Sequence, residues 1–163
     1  EFNLHLKNCE KFTLDNDVKV YAINAGAQDV LQLEIVFFAG NSYETQNGVA
    51  AATNYMLRNG TSAKTAFQIN EHFEYYGAYC NRSCHNETAT ITLHCLNKHV
   101  NTLLPVVAEL LTESVLPEDE LATYNQNQQP HLEVSLKICE FVAVREIDHR
   151  ILGFPPPSVL FTS

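Results

Sequence analysis

The strongest constraint on the fold is the strict two-residue alternation over residues 88–97. Threonines or a histidine alternate there with small or apolar residues, and the latter are Ala89, Ile91, Leu93 and Cys95. Because successive side chains of a strand point to opposite faces of a sheet, the pattern predicts a strand with one buried face and one polar face. Such a strand requires a sheet whose apolar face is covered by other elements.

The neighbouring segments predict the rest of that sheet and the helices that cover it. The expected strands span 10–14, 18–24, 30–38, 78–83 and 88–97, and the first two form a hairpin. The expected helices span 48–59, 63–76, 100–116 and 117–152, with Ser62 as N-cap of the second and Pro130 as a candidate break in the last. Strands and helices in separate blocks predict an α+β fold, an antiparallel sheet with helices packed on one face.

Length and composition predict one globular domain. The chain has 163 residues, of which 45% are hydrophobic and 18% are charged, and such a chain can bury a packed core. We expect a single α+β domain over residues 1–153. The prolines at 155–157 force extended backbone, so residues 154–163 are expected to be a proline-rich tail or a truncation end.

The charge distribution argues against a nucleic-acid partner. The chain carries 10 lysines and arginines against 19 acids, for a formal net charge of -9, and its basic residues are scattered singly. A nucleic-acid-binding face needs a basic patch. No apolar run is as long as a membrane-spanning helix, so no membrane span is expected either.

The cysteines are predicted to be free thiols, because they form no Cys-x-x-Cys pair and no zinc-finger spacing. They are Cys9, Cys80, Cys84, Cys95 and Cys139. Two less favoured alternatives stay open. Cys80 and Cys84 share one side of a strand and, with His85, could form a zinc site. Cys84 or Cys139 could also act as a nucleophile beside a histidine, although neither lies in a local signature.

The helix predicted over 48–59 carries the most informative spacing in the chain. Its buried side is supplied by Val49, Ala52, Met56 and Leu57. On the neighbouring face, Ala51, Asn54 and Tyr55 stand at i, i+3 and i+4, where a metalloenzyme helix would carry two metal ligands and a general base. Here these positions hold a methyl group, an amide and a phenol.

Five short phrases, taken in order, resemble the pitrilysin-type (M16, inverzincin) metallopeptidases, a family that includes the mitochondrial processing peptidase and the respiratory-complex core subunits. They lie at 12–21, 48–50, 56–61, 76–90 and 116–121. The resemblance runs from about residue 12 to residue 153, nearly the whole chain. It implies a mitochondrial processing peptidase-like half-domain, so that residues 1–153 would be an incomplete peptidase-like domain.

In active relatives this helix carries His-x-x-Glu-His, and a later glutamate completes a zinc site. Aligned on the flanking phrases, Ala51 and Tyr55 take the two histidine positions and Asn54 takes the glutamate position. An amide cannot act as a base near neutral pH, and a phenol with a pKa of about 10 is a poor zinc ligand there. Glu133, 78 residues after Tyr55, is a candidate relic of the distal ligand, although a solvated structural role is favoured.

The resemblance therefore implies a non-catalytic member of the family, with no cofactor of its own where active relatives hold zinc. Such a subunit would pair with a catalytic M16-type subunit as a heterodimer, or with a second copy of itself. It would help to hold extended peptide or unfolded protein along an exposed strand edge, with the acidic charge favouring basic peptides. The resemblance assigns no peptide-binding residues.

Two other functions are also compatible with the sequence. The chain could be an active zinc metallopeptidase that uses substitute ligands, or a structural scaffold subunit with no role in binding peptide. The habits of the family favour a periplasmic or cell-envelope location.

Overall fold

The computed structural model describes residues 7–153, which divide into two compact units at Val30 and Leu31. In the first unit, β1 (Glu10–Thr13) pairs antiparallel with β2 (Lys19–Ala22), with Glu10 opposite Ala22. The connecting turn is closed by the Leu14 amide, which donates to the Val18 carbonyl at 2.9 Å. The predicted hairpin is confirmed.

The second unit is built on a three-stranded sheet. Its strands are β3 (Val30–Phe37), β4 (Tyr79–Cys84) and β5 (Ala89–Leu96), in the order β3-β5-β4. β4 and β5 pair antiparallel with Cys80 opposite Leu93. Within residues 7–153, β4 is therefore an edge strand.

Five α-helices accompany this sheet. They are α1 (Val49–Met56), α2 (Ala66–Tyr75), α3 (Val100–Thr112), α4 (Glu118–Ser135) and α5 (Cys139–Leu152). Short 3-10 segments at Asn41–Tyr43 and Asn97–His99 precede α1 and α3. The predicted α+β class, with antiparallel strand pairing and helices on the sheet, is confirmed.

The core lies on one face of the sheet. From the strands it contains Cys80, Ile91, Leu93 and Cys95, and from α2 and α3 it contains Ile69, Phe73, Leu103, Val106, Val107 and Leu110. The alternation over 88–97 is reproduced, because Thr90, Thr92 and His94 point to the other face and are only half-buried. α2 and α3 thus cover the apolar face that the sequence predicts.

Two predicted helix boundaries were wrong. The N-cap of α2 is Thr65 rather than Ser62, and it forms a reciprocal capping box with Gln68. Pro130 lies inside α4, and the break falls instead after Ser135, where the Ile138 amide bonds to the Ser135 carbonyl at 3.0 Å. Ile138 then has extended backbone, which ends one helix and starts the next.

The expected tail at 154–163 lies outside the described residues. Over residues 7–153, no helix has the length and apolar character needed to cross a membrane.

Candidate functional site

The N-terminus of α1 is held by a carboxylate from the preceding loop. Glu44 accepts hydrogen bonds from the backbone amides of Gly48 and Ala50, both at 2.9 Å. These amides belong to the first turn of the helix, whose N–H groups have no acceptor within the helix. A negative charge is favourable there. Gly48 has φ 82°, a left-handed conformation that suits glycine. Glu44 could not be identified from the sequence, because its spacing from the helix matches no standard capping pattern.

The C-terminal end of α1 is tied to the sheet and to α2 by Arg58. Its Nη1 donates to the Cys80 carbonyl at 2.6 Å, and its Nη2 donates to Asn70 Oδ1. The guanidinium also lies over the Phe73 ring, 5.8 Å from the centroid. Both ends of α1 are therefore fixed by charged side chains.

The packing side of α1 is mostly as predicted. Ala52 and Met56 are buried, with 5% and 3% of their surface exposed, and Leu57 is half-buried. Val49 was wrongly assigned to this buried side and is 46% exposed. It lies in the first turn, where the helix is held through its backbone amides rather than by apolar packing.

The second side of α1 carries the three positions that the resemblance aligns with metal chemistry. Ala51 is half-buried, Asn54 is buried at 7% exposure, and Tyr55 is 39% exposed. The Tyr55 ring packs against Tyr124 of α4 with centroids 4.7 Å apart. The Arg82 guanidinium of β4 lies 5.2 Å from the centroid of the same ring. One aromatic ring and one cation thus contact Tyr55.

Glu133 does not join this cluster. It is exposed on α4 and accepts a hydrogen bond from Gln129 Nε2 at 3.2 Å. Tyr124, which faces α1, is nine residues away, and about 100° per residue puts the two side chains on opposite sides of the helix. Glu133 is therefore exposed to solvent on the side of α4 that faces away from α1.

Burial favours the protonated forms of two groups around α1, the Tyr124 phenol and the Cys84 thiol. Burial raises the pKa of the Tyr124 phenol, and the Cys84 thiol, Tyr55 and the Glu44 carboxylate raise it further. Burial also raises the pKa of the Cys84 thiol, with a smaller contribution from Glu44. A raised pKa reduces the thiolate fraction, which disfavours Cys84 as a nucleophile. Its sulfur contacts Asn41 Oδ1 at 3.5 Å.

The donor set does not fit zinc. Zinc sites in proteins use thiolate, imidazole and carboxylate ligands, of which α1 presents none at the three aligned positions. Over residues 7–153, no three His, Cys, Asp or Glu side chains lie close enough together to hold a metal ion. The alternative zinc site at Cys80, Cys84 and His85 is not assembled, because Cys80 belongs to the core while His85 is exposed. Cys139 is exposed at the start of α5.

The outer edge of β4 runs beside this cluster. The His85 amide donates to the Thr88 carbonyl at 2.8 Å, so these two residues form a hydrogen-bonded pair at the turn. Because such pairs alternate along antiparallel strands, Cys80, Arg82 and Cys84 direct their backbone groups away from β5. The bond from Arg58 to the Cys80 carbonyl agrees with this assignment. The backbone N–H and C=O groups of Arg82 and Cys84 likewise face outward, along this edge of β4.

Comparisons with known sequences point to one family. The sequence profile of the insulinase family, peptidase family M16, matches residues 19–142. The chain is 27% identical over 114 residues to YmxG of Bacillus subtilis, described as an uncharacterized zinc protease, a match that covers 69% of this chain and 28% of that protein. An uncharacterized zinc protease of Rickettsia bellii is 25% identical over 111 residues, which cover 67% of this chain and 27% of that protein.

Two solved structures resemble the fold of this chain. The peptidase M16 inactive domain from Pseudomonas fluorescens superposes with a TM-score of 0.80 at 25% identity, over 88% of this chain and 35% of that chain. A protease from Helicobacter pylori superposes with a TM-score of 0.64 at 18% identity, over 82% of this chain and 31% of that chain, and shows the likeness of fold alone. The chain spans between 27% and 35% of the length of the relatives described here.

Proposed function

This chain belongs to the insulinase family of M16 peptidases, and from that membership we propose that it is a non-catalytic member that pairs with a catalytic M16-type subunit and helps to hold extended peptide. The observation that carries the proposal is the chemistry of α1. The helix is anchored at both ends, while its aligned positions hold Ala51, Asn54 and Tyr55. A water molecule activated for hydrolysis would need metal ligands and a base that these side chains do not offer.

The edge of β4 is the proposed peptide-binding surface. Extended peptides bind sheet edges through backbone hydrogen bonds, and alternate side chains supply specificity. Arg82 and Cys84 present outward backbone groups there, and α1 packs beside them through the contact of Arg82 with Tyr55. The net charge of -9 would attract basic peptides over long range.

Pairing with a catalytic subunit is proposed from the likeness to the Pseudomonas fluorescens structure, which superposes on 88% of this chain. The chain covers 35% of that protein, which is itself named an inactive domain. We propose that a partner subunit supplies the His-x-x-Glu-His helix that this chain lacks. The location proposed for the pair is the periplasm or cell envelope.

The partner model is tested by affinity purification of the tagged protein from its own host, followed by mass spectrometry. Near-stoichiometric recovery of a subunit that carries His-x-x-Glu-His is expected. Recovery of the protein only with copies of itself would overturn the heterodimer and leave a homodimer as the assembly.

Peptide binding on β4 is tested with N-methylated peptides. A peptide selected for binding from a random twelve-residue library is resynthesised with a single N-methyl group at each position in turn. Because a paired strand directs every second amide toward its neighbour, binding should be lost at alternate positions and retained at those between them. Uniform tolerance of N-methylation would argue for a scaffold without strand pairing.

The scaffold alternative makes a different prediction about the purified complex. If the chain only supports its partner, substitutions on the face formed by Ala51, Asn54 and Tyr55 leave peptide hydrolysis by the complex unchanged. If that face helps to position peptide beside β4, the substitution Tyr55→Ala raises KM while the complex stays assembled.

A further inference from the structure

Arg82 is a cation without an acidic partner in the described part of the chain. Its side chain is half-buried between β4 and α1, where the guanidinium lies over the Tyr55 ring. Over residues 7–153, the ion pairs are Lys64 with Glu109 and Arg150 with Glu146, and Arg82 takes part in neither. A ring face attracts a cation but does not neutralise its charge.

A second cation lies on the same side of β4. Arg58 is close enough to lower the pKa of Arg82, although burial contributes more to that lowering. Arg58 uses neutral acceptors, the Cys80 carbonyl and Asn70 Oδ1, and its Nε is buried without an acceptor. Two neighbouring, partly desolvated guanidinium groups are unfavourable without a counter-charge.

Arg82 lies on the edge strand β4, so its charge is close to the proposed peptide-binding surface. Its backbone groups point outward from β4, so a strand bound there would pass next to residue 82. Its guanidinium offers N–H donors in a planar fork that matches the geometry of a carboxylate. The protein as a whole carries a net charge of -9, which makes this cationic edge a local exception.

We propose that Arg82 binds a carboxylate of the peptide held on β4, supplied either by an Asp or Glu side chain or by the C-terminus of the peptide. The proposal rests on the function proposed above and sharpens it. A basic peptide is attracted by the overall charge, and one carboxylate fixes its position along β4. Tyr55 acts here as a positioning residue, because its ring supports the guanidinium.

The test is a selection from two random twelve-residue libraries, one with free and one with amidated C-termini, against the full chain. Peptides selected by the wild type should carry a carboxylate at a fixed position. Replacing that Glu or Asp by Gln or Asn, or amidating a C-terminal carboxylate, should weaken binding by about 10- to 100-fold, the usual range for a hydrogen bond to a charged group. The two libraries separate a side-chain carboxylate from a C-terminal one.

Matched variants then assign the effect to Arg82. Arg82→Gln should lose the preference for the carboxylate peptide over its neutral twin, and Arg82→Lys should retain part of it. Arg150→Gln removes the same charge from an exposed helix and should keep the full preference. Thermal unfolding of each variant shows whether it is folded before binding is measured.

The outcomes separate this inference from the function on which it rests. Selected peptides without a fixed carboxylate, or equal binding of the charged and neutral twins, would overturn the role of Arg82 and leave peptide binding intact. Equal preference in the wild type and Arg82→Gln would do the same. If neither library yields a binder, both the peptide-binding function and the carboxylate site are rejected.

Discussion

The two sides of α1 differ in what they do. One side carries Ala52 and Met56 into the core, and the ends of the helix are anchored by Glu44 and Arg58. The other side carries Asn54, which is buried, and Tyr55, whose ring packs against Tyr124 and lies beneath the Arg82 guanidinium. The packing of the helix therefore does not depend on metal ligands at the three aligned positions, which hold Ala51, Asn54 and Tyr55.

This difference has a physical basis. Packing depends on size, shape and apolar surface, which many residues supply, whereas a zinc site needs particular donor atoms at fixed positions. A chain can thus preserve the fold of an M16 peptidase without zinc-ligating donor atoms at the aligned positions of this helix. The comparison predicts that substitutions on the two sides will affect different properties.

The largest expected effect on stability comes from the packing side. Met56→Ala should lower the free energy of unfolding by about 2–5 kcal/mol, because it leaves a cavity under a side chain that is 3% exposed. The measurement is urea unfolding followed by circular dichroism. Val49→Ala, on an exposed residue of the same helix, is the control and should change stability by less than about 0.5 kcal/mol. Equal losses in the two variants would contradict the assignment of the sides.

The loop that follows α1 provides the next largest effect. Glu109 of α3 accepts hydrogen bonds from Lys64 and Thr61, which hold this loop to the core. Glu109→Gln should cost about 1–2 kcal/mol at pH 7, since a charge-assisted bond is lost. Glu71→Gln, on the exposed side of α2, is the matched control and should change stability by less than about 0.5 kcal/mol.

This effect should depend on pH. The hydrogen bonds from Lys64 and Thr61 hold the pKa of Glu109 below its ordinary value of 4.5. Stabilisation by a carboxylate of lowered pKa is complete above the pKa of the unfolded chain and is lost as the pH falls through the pKa of the folded chain. The difference between wild type and Glu109→Gln should therefore shrink as the pH is lowered from about 6 to 3. A difference that grows on acidification would show that the pKa is raised instead.

The carboxylate that holds the start of α1 should have a smaller effect. Glu44→Ala removes the acceptor of the Gly48 and Ala50 amides and should cost about 1 kcal/mol, as for other lost N-terminal caps. Hydrogen exchange should show faster exchange of these two amides in the variant. Unchanged exchange would mean that other groups protect the first turn. Glu87→Ala, an exposed acid in the turn after β4, should leave both amides unaffected.

The smallest effect is expected on the outward side of the helix. Tyr55→Phe keeps the ring that packs on Tyr124 and beneath Arg82, so stability should change by no more than about 0.5 kcal/mol. The same urea titration measures it. A loss larger than that of Glu44→Ala would show that the hydroxyl group supports the fold.

The sequence predicted the fold well where the periodicity was regular. The alternation over residues 88–97 identified β5 and its buried face, and the apolar stripe of α3 identified the helix that covers it. Helix boundaries were less predictable, because Thr65 and Ser62 are both good caps and only Thr65 has Gln68 three residues later. The break after Ser135 has no glycine or proline to indicate it.

The candidate site was only partly predictable. The spacing of Ala51, Asn54 and Tyr55 can be read from a helix pattern, but the contacts of Tyr55 with Tyr124 and Arg82 join residues far apart in the chain. Nothing local to Arg82 indicates that it meets a ring on α1. The same holds for Arg58 and the Cys80 carbonyl, a contact between α1 and β4 that depends on the tertiary fold.

The proposal that α1 holds no metal is tested most directly by calorimetric titration of the metal-free chain with zinc, alongside the double variant Asn54→Ala, Tyr55→Phe. We predict no stoichiometric binding that depends on these two residues, so the wild type and the variant should give the same titration. Stoichiometric, chelator-reversible zinc binding by the wild type that is lost in the variant would contradict the proposal and restore the alternative of a zinc peptidase with substitute ligands.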